Sequence, residues 1–216
     1  MNYDLLIFDM DGTIIDNVAL FERADAEFFR RRNLKINNQE LVKILSGVHL
    51  RHGMQILQEK FNLNGNLDDL LEERRQLLAK QYQENLKYIA GFEDFFGNLY
   101  KTGLKSCIAT SSDDFLLDIV IQKLQLNNKF GGRIFKASDV ANASKPDPAV
   151  FLHAAKQMNV QPSRCIVIED APKGVEAANR AGMYSIGITT VLAREFLTHA
   201  NMVIDSYDGF DISRLL

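Results

Sequence analysis

The chain has little cysteine and no excess of positive charge. Its two cysteines, Cys107 and Cys165, lie in apolar runs and form no metal-binding or redox spacing, so we expect buried, unreactive thiols. The net charge of −3 leaves no basic excess for binding a nucleic-acid backbone. No apolar run is long enough to span a bilayer and no signal peptide is visible, so we expect a cytoplasmic protein without membrane association.

Proline is confined to the last third of the chain, with all four residues at position 146 or later. Residues 17–87 therefore contain none, and they show helical periodicity without a convincing strand. The helical patterns cover 18–29, 41–45, 53–61 and 67–86. They predict an all-helical cap domain, residues 17–87, inserted into the rest of the chain.

Continuous apolar runs, which are typical of parallel strands covered on both faces, occur outside this insertion. They lie at 3–8, 104–110, 133–138, 163–169, 184–189 and 200–205. Helical patterns at 114–125, 147–158 and 173–181 alternate with them. The alternation predicts an α/β fold, a doubly wound parallel sheet in a Rossmann-like core formed by residues 1–16 and 88–216.

The first run ends in crowded acids, in the stretch "LLIFDMDGTIID". Asp9 and Asp11 lie on one side of an extended chain, where like charges oppose each other's ionisation. Thr110 and Lys145 follow the second and third strands, and Glu169-Asp170 ends a later one. Since ligands gather at the carboxyl ends of parallel strands, one pocket is expected to hold all of these groups.

Carboxylates, a hydroxyl and a lysine are the groups that a magnesium ion and a phosphate require. An ionised aspartate can attack phosphorus once the charge of the phosphate is screened, which gives an aspartyl-phosphate. A second acid can protonate the departing alkoxide and later accept a proton from water. The pattern therefore predicts hydrolysis of a phosphate ester with Mg²⁺ as the cofactor.

Four motifs carry a family resemblance: "DMDGT", "CIATSS", "KPDP" and "IEDAPKGVEAANRAG", in this order. They resemble the motifs of the haloacid dehalogenase-like hydrolase superfamily. The helical insertion resembles the cap of its phosphoglycolate phosphatase and beta-phosphoglucomutase branch. The resemblance covers nearly the whole chain, and it implies a phosphatase whose partner is a small phosphorylated metabolite, a sugar phosphate or a phosphoglycolate-like ester.

The resemblance also implies a role for each matching residue. Asp9 is the expected nucleophile and Asp11 the general acid and base. Asp170 is expected to bind Mg²⁺ together with Asp9 and the Asp11 carbonyl, and Glu169 is the second acid of the metal motif. The expected phosphate-binding groups are Thr110, Ser111, Lys145 and the backbone near Gly12.

Some residues near these motifs also have a structural interpretation. Glu169 and Asp170 are also placed to cap the helix that starts near Pro172. Asp16 is expected to be a helix N-cap or a hinge residue at the start of the cap. In the cap, the stretch "SGVHLRHG" suggests a loop that reaches the active site, and we expect His49 or Arg51 to contact the substrate. A solvated helix start is the competing interpretation of that stretch.

Several alternative functions remain open from the sequence. A beta-phosphoglucomutase-like mutase has a histidine in the first cap helix, at the position of Phe21 in this chain. Because Phe21 replaces that histidine, hydrolysis is favoured over the mutase reaction. Asp11 argues against dehalogenases and phosphonate-cleaving enzymes, which replace it. A phospho-acceptor module or a binding protein is the remote alternative, and the insertion counts against the first of these. We expect a monomer or a weak homo-oligomer.

Overall fold

The computed structural model describes residues 3–215, and its centre is a parallel sheet of six strands. The strands are β1 (Leu5–Phe8), β2 (Lys105–Thr110), β3 (Ile134–Lys136), β4 (Cys165–Glu169), β5 (Tyr184–Ile188) and β6 (Met202–Ile204). Their order in the sheet is β3-β2-β1-β4-β5-β6. The predicted doubly wound parallel sheet is confirmed, and every predicted run contains one strand.

Helices cover both faces of this sheet because successive residues of a strand point to opposite sides. Leu6 and Phe8 pack in a cluster with the helices α5 (Phe92–Leu99), α6 (Asp114–Lys123) and α7 (Leu126–Phe130). Leu5 and Ile7 pack on the other face with α8 (Ala149–Gln157) and α9 (Pro172–Arg180). The central strand is therefore buried on both sides, as its continuous apolar sequence requires.

The insertion after β1 is helical, as predicted. It contains α1 (Val18–Arg30), α2 (Asn38–Leu45), α3 (Leu50–Phe61) and α4 (Leu67–Asn85). Its buried side chains, including Leu20, Phe28 and Leu78, join the cluster that covers one face of the sheet. The division into domains at residues 16 and 88 stays a prediction.

The two chain segments that connect the insertion to the sheet lie side by side. The Asp16 N–H donates to the Lys87 carbonyl at 3.0 Å, and the Ile89 N–H donates to the Ile14 carbonyl at 2.9 Å. Asp16 therefore lies at the junction, where its carboxylate is 3.7 Å from the Lys87 ammonium. The N-cap interpretation of Asp16 is wrong, because Asn17 occupies that position before Val18.

Both cysteines are buried and free, as predicted. Burial raises the pKa of the Cys165 thiol to about 12, and it also raises the pKa of Cys107. Thiols of such high pKa are poor nucleophiles and metal ligands at neutral pH. Across residues 3–215, the structure contains no helix with the length and apolar character to cross a membrane.

Candidate active site

The candidate site lies where the carboxyl ends of β1, β2 and β4 meet. Phe8, the last residue of β1, is in register with Ile108 of β2 and Ile168 of β4. The Asp9 N–H continues the ladder by donating to the Ile168 carbonyl at 3.0 Å. The strands β2 and β3 lie on one side of β1, and β4, β5 and β6 lie on the other. The chain crosses between the two sides after β3, and α/β sheets bind ligands at such a reversal of strand order.

Lys145 joins two of the predicted acids at this edge. Its Nζ donates to Asp9 Oδ1 at 2.5 Å and to Glu169 Oε1 at 2.8 Å, and all three side chains are buried. Burial, the largest effect, lowers the pKa of the lysine, but the charges of Asp9 and Glu169 outweigh it and raise the pKa above its ordinary value. The lysine therefore carries a full positive charge next to Asp9.

Three carboxylates at this edge exceed the charge of the single lysine. Oxygen atoms of Asp9, Glu169 and Asp170 lie within 4.8 Å of one another. Burial and the neighbouring acids raise the pKa of Asp170 well above its ordinary value, and burial does the same for Asp9 although Lys145 opposes it. The surplus of negative charge and the all-oxygen donor set fit a hard divalent cation.

Glu169 is held by contacts to both of its oxygens. Oε1 accepts from Lys145, and Oε2 accepts the Ala171 N–H at 2.9 Å. Its carboxylate lies so close to α9 that a Cβ atom on Gly174 would be 1.9 Å from Oε1, so only glycine fits there. Ala171 is the N-cap residue of α9, so neither Glu169 nor Asp170 occupies the predicted capping position, and at this helix Glu169 binds only the N–H of the N-cap residue itself.

Gly12 and Thr13, which follow the first acids, pack closely against Asp170. Gly12 has a φ of +76°, and a Cβ atom at this position would be 2.7 Å from Asp170 Oδ2. The Thr13 hydroxyl donates to Asp170 Oδ1 at 3.2 Å. The turn after β1 therefore needs glycine both for its backbone conformation and for space, and Thr13 is a contact that our sequence analysis missed.

Ser111 presents an unsatisfied hydroxyl on the other side of Asp9. Its Oγ is buried and finds no hydrogen-bond partner within residues 3–215. The Thr110 Oγ1 next to it accepts the Ser112 N–H at 3.0 Å, which leaves the hydroxyl proton of Thr110 available to a ligand. A buried hydroxyl without a protein partner can bind a ligand oxygen, and a phosphoryl group supplies one.

Asp11 faces a cavity and is held by two residues that our sequence analysis missed. Asn17 Nδ2 donates to Asp11 Oδ1 at 2.5 Å, and the Tyr82 hydroxyl donates to the same oxygen at 3.2 Å. Asn17 also donates to the Tyr82 hydroxyl at 2.9 Å. Burial raises the pKa of Asp11 although hydrogen bonds from Ser112, Tyr82 and Asn17 lower it. Because Tyr82 belongs to α4, the inserted helices take part in placing Asp11.

The cavity that Asp11 faces lies between the sheet edge and the inserted helices, and its volume is about 130 Å³. Asp9, Asp170 and Ser111 line its floor. Its walls belong to the insertion and include Phe21, Glu22, Leu45, Leu50 and Arg74. The lining thus brings together Asp9, Asp11, Gly12, Ser111 and Asp170, and Lys145 and Glu169 join them through the ion pairs and the carboxylate cluster around Asp9. Thr110, the last residue of β2, does not line the cavity.

The structure does not bring His49 and Arg51 to this cavity. Gly47, Val48 and Leu50 line it instead, since neighbouring residues at a helix start point in different directions. The His49 ring accepts the Arg51 N–H at 3.4 Å as the N-cap of α3. The Arg51 guanidinium pairs with Asp68 at 2.7 Å, with both side chains about half exposed or more. The predicted loop therefore does reach the cavity, but through Gly47, Val48 and Leu50 and not through His49 or Arg51.

Comparison with known proteins identifies the class of enzyme. The family model for haloacid dehalogenase-like hydrolases matches residues 6–188, so the chain belongs to this family. The predicted enzyme class, a haloacid dehalogenase-like phosphoric monoester hydrolase, is confirmed by relatives whose names are those of phosphatases.

Three relatives illustrate the range of activities. A phosphorylated carbohydrates phosphatase from Thermotoga maritima is 28% identical over 183 residues, covering 85% of this chain and 83% of that protein. The 6-phosphogluconate phosphatase of Escherichia coli is 25% identical over 180 residues, covering 83% of this chain and 80% of that protein. The crystal structure of a beta-phosphoglucomutase from Clostridium difficile is 25% identical with a TM-score of 0.85, covering 99% of this chain and 95% of that one.

Proposed function

We propose that the protein is a Mg²⁺-dependent phosphatase of the cytoplasm that hydrolyses a small phosphate monoester through an aspartyl-phosphate on Asp9. The observation that carries this proposal is the pairing of Asp9 with a buried, charged Lys145 next to the unsatisfied Ser111 hydroxyl. A lysine and a hydroxyl with a free proton are what a bound phosphoryl group needs from its surroundings. The names of the phosphatase relatives agree with this function.

In the first half of the reaction, the Asp9 carboxylate attacks phosphorus and the bond from phosphorus to the ester oxygen breaks. Lys145, Thr110 and Ser111 bind the phosphoryl oxygens and withdraw negative charge from them. Asp11 donates its proton to the departing alkoxide. The hydrogen bonds from Asn17 and Tyr82 hold Asp11 toward the cavity for this step.

In the second half, water attacks the phosphorus of the aspartyl-phosphate. Asp11, now ionised, accepts a proton from that water, and the bond between Asp9 and phosphorus breaks to release inorganic phosphate. Asp9, Asp170 and the Asp11 carbonyl would hold the Mg²⁺ ion, with Glu169 as the further acid. When bound, the metal ion screens the charge of the carboxylates and of the phosphate.

The test is the release of inorganic phosphate from p-nitrophenyl phosphate by the purified protein. We expect activity that EDTA abolishes and Mg²⁺ restores, and a loss of at least about 10³-fold in Asp9→Asn, since the amide is not a nucleophile. Asp16→Asn is the matched control, because Asp16 lies only seven residues away but pairs with Lys87 outside the cavity. Undiminished turnover by Asp9→Asn would overturn the assignment of the nucleophile.

Mutase activity is the second candidate, because the similar structure from Clostridium difficile is named as a beta-phosphoglucomutase. Phe21 argues against it, since it occupies the cavity wall where the mutases carry a histidine. Its ring packs against Tyr82 with a centroid separation of 6.3 Å and supplies no proton-transfer group. Incubation with beta-glucose 1-phosphate and its bisphosphate activator separates the two candidates, and we expect inorganic phosphate but no glucose 6-phosphate.

A further inference from the structure

We infer that the substrate is a phosphate monoester whose leaving group carries no negative charge, such as a polyol, a neutral sugar or a nucleoside. This inference rests on the proposed function and divides its substrate classes: neutral sugar or polyol phosphates fit, while phosphoglycolate-like esters and bisphosphates do not. The leaving group would face the charges and the apolar surface of the cavity wall, and these favour a neutral group.

The leaving group must lie against the inserted helices. The phosphoryl group would occupy the space next to Asp9, Ser111 and Lys145, and the strands close the site from below. The remaining lining belongs mostly to α1, α2, α3 and the loop between α2 and α3. The composition of this wall therefore decides which leaving groups the enzyme accepts.

The charged part of the lining is strongly negative. Within residues 3–215, its carboxylates are Asp9, Asp11, Glu22, Asp25, Asp113 and Asp170, and its only cation is Arg74. Asp9, Asp11 and Asp170 belong to the reaction centre. The surroundings of the leaving group are thus set by the other three acids and by the arginine.

Two of these three acids are already paired. Asp25 receives Arg74 Nε at 2.7 Å and Nη2 at 3.1 Å in a buried pair. Asp113 receives two hydrogen bonds from Arg75, at 3.1 and 3.0 Å. The charge of Arg74 is therefore matched by Asp25, and that of Arg75 by Asp113 and by Glu72, to which Arg75 Nη1 donates at 2.5 Å, so neither arginine adds net positive charge to the wall.

Glu22 supplies an uncompensated negative charge. It lies on α1 in the cavity wall, and no side-chain hydrogen bond or ion pair to it is formed by any residue from 3 to 215. The amino ends of α1, α2 and α3 also line the cavity, at Val18, Asn38 and Leu50, and each contributes at most about half of a positive charge. Together they do not exceed the two carboxylates of Asp11 and Glu22. A carboxylate or second phosphate on the leaving group would therefore meet net repulsion.

The remainder of the wall is mostly apolar, with Asn38 and Ser46 as its polar residues. Phe21, Leu41, Val42, Leu45, Val48 and Leu50 supply most of it. An anion placed there would lose its hydration without gaining a cation, which is costly. A neutral leaving group with carbon–hydrogen faces loses much less hydration free energy there. Its hydroxyls can reach the polar edge formed by Glu22 and the pair of Asp25 with Arg74.

The test uses pairs of phosphate esters that differ only in the charge of the leaving group. Glycerol 3-phosphate and 3-phosphoglycerate form one pair, and glucitol 6-phosphate and 6-phosphogluconate form another, each differing by a hydroxymethyl in place of a carboxylate. With Mg²⁺ present, we expect kcat/KM to favour the neutral member by about tenfold or more in each pair. The second pair includes the ester after which the Escherichia coli relative is named.

A charge reversal in the wall provides the matched variant. Glu22→Lys should shift the kcat/KM ratio of each pair toward the anionic ester by about tenfold, and Glu22→Gln should shift it less in the same direction. Glu27→Gln is the control, because Glu27 is on the same helix but pairs with Arg30 and Arg31 outside the cavity. We expect the control to keep the wild-type ratio.

The outcomes separate this inference from the function on which it rests. Equal or better hydrolysis of the anionic ester in both pairs overturns the inference, while the phosphatase function stands. Unchanged ratios in Glu22→Lys also overturn it, because the repulsion then does not come from this wall. If folded protein with Mg²⁺ hydrolyses no ester, including p-nitrophenyl phosphate, the proposed function is wrong and the inference falls with it.

Discussion

The sheet edge and the cavity wall each contain a buried cation paired with carboxylate, but the balance of charge differs. Lys145 contacts Asp9 and Glu169, and Asp170 adds a third carboxylate within 4.8 Å. Arg74 instead meets Asp25 alone, through two hydrogen bonds that satisfy both carboxylate oxygens. The first arrangement has surplus charge and an unsatisfied hydroxyl at Ser111, whereas the second is complete without a ligand.

The sheet edge therefore has the properties of a ligand-binding site, whereas the pair of Arg74 and Asp25 has those of a packing contact. A buried group that lacks a partner costs free energy until something binds to it, so its presence marks a place where binding is expected. A buried pair that is fully hydrogen-bonded makes no such demand. Variants of the buried pair should therefore lose stability, whereas variants around the catalytic acids should lose activity.

The largest expected effect on stability is at the wall. Arg74→Met leaves Asp25 buried without its partner, and we expect the free energy of unfolding to fall by about 3–5 kcal/mol. Unfolding in urea, followed by circular dichroism without substrate or metal, measures this. The control is the double variant Asp25→Leu with Arg74→Met, which removes both charges and should recover most of the loss. A fall of less than about 1 kcal/mol in the single variant would show that Asp25 is rehydrated through the cavity.

A smaller effect is expected where the two regions touch, at Tyr82. Tyr82→Phe removes the hydroxyl that donates to Asp11, and a hydrogen bond of this kind contributes about 1 kcal/mol. We expect kcat for a polyol phosphate to fall about fivefold, because its alkoxide needs the proton of Asp11. Turnover of p-nitrophenyl phosphate should change less, since nitrophenolate departs without a proton. Steady-state kinetics on both esters measure the difference.

Tyr88→Phe is the matched control for this variant. It loses a hydroxyl that donates to the Leu124 carbonyl at 2.7 Å, away from Asp11. We expect it to leave the ratio of the two rates unchanged. Equal losses on both esters in Tyr82→Phe would mean that the hydroxyl stabilises the fold but does not position the acid.

The residues of the sheet edge were predictable because strand geometry fixes their place. Asp9, Thr110 and Glu169 follow apolar runs that form neighbouring parallel strands, and the carboxyl ends of such strands meet. The contacts to Asp11 were harder to predict. Asn17 is close to it in the chain, but Tyr82 reaches it only through the packing of α4 on α1, across 71 residues.

The wall itself was the least predictable part. The glycine and basic residues of the stretch at 46–53 suggested His49 or Arg51, yet the residues of this stretch that line the cavity are Ser46, Gly47, Val48, Leu50 and Gly53. Which side of α3 faces the site depends on the residue at which the helix begins, and a shift of one residue turns the face by about 100°. Sequence periodicity does not resolve helix boundaries to one residue, so the identity of the inward side chains required the structure.

The smallest expected effect tests this correction directly. Arg51 pairs with Asp68 where both side chains are largely exposed, and such pairs contribute little to stability. We expect Arg51→Ala to change KM for the preferred ester by less than about twofold and the free energy of unfolding by less than about 0.5 kcal/mol. Titration of substrate and urea unfolding measure the two quantities. A rise of tenfold in KM for that ester, with p-nitrophenyl phosphate unaffected, would instead mean that Arg51 leaves Asp68 and turns to the substrate.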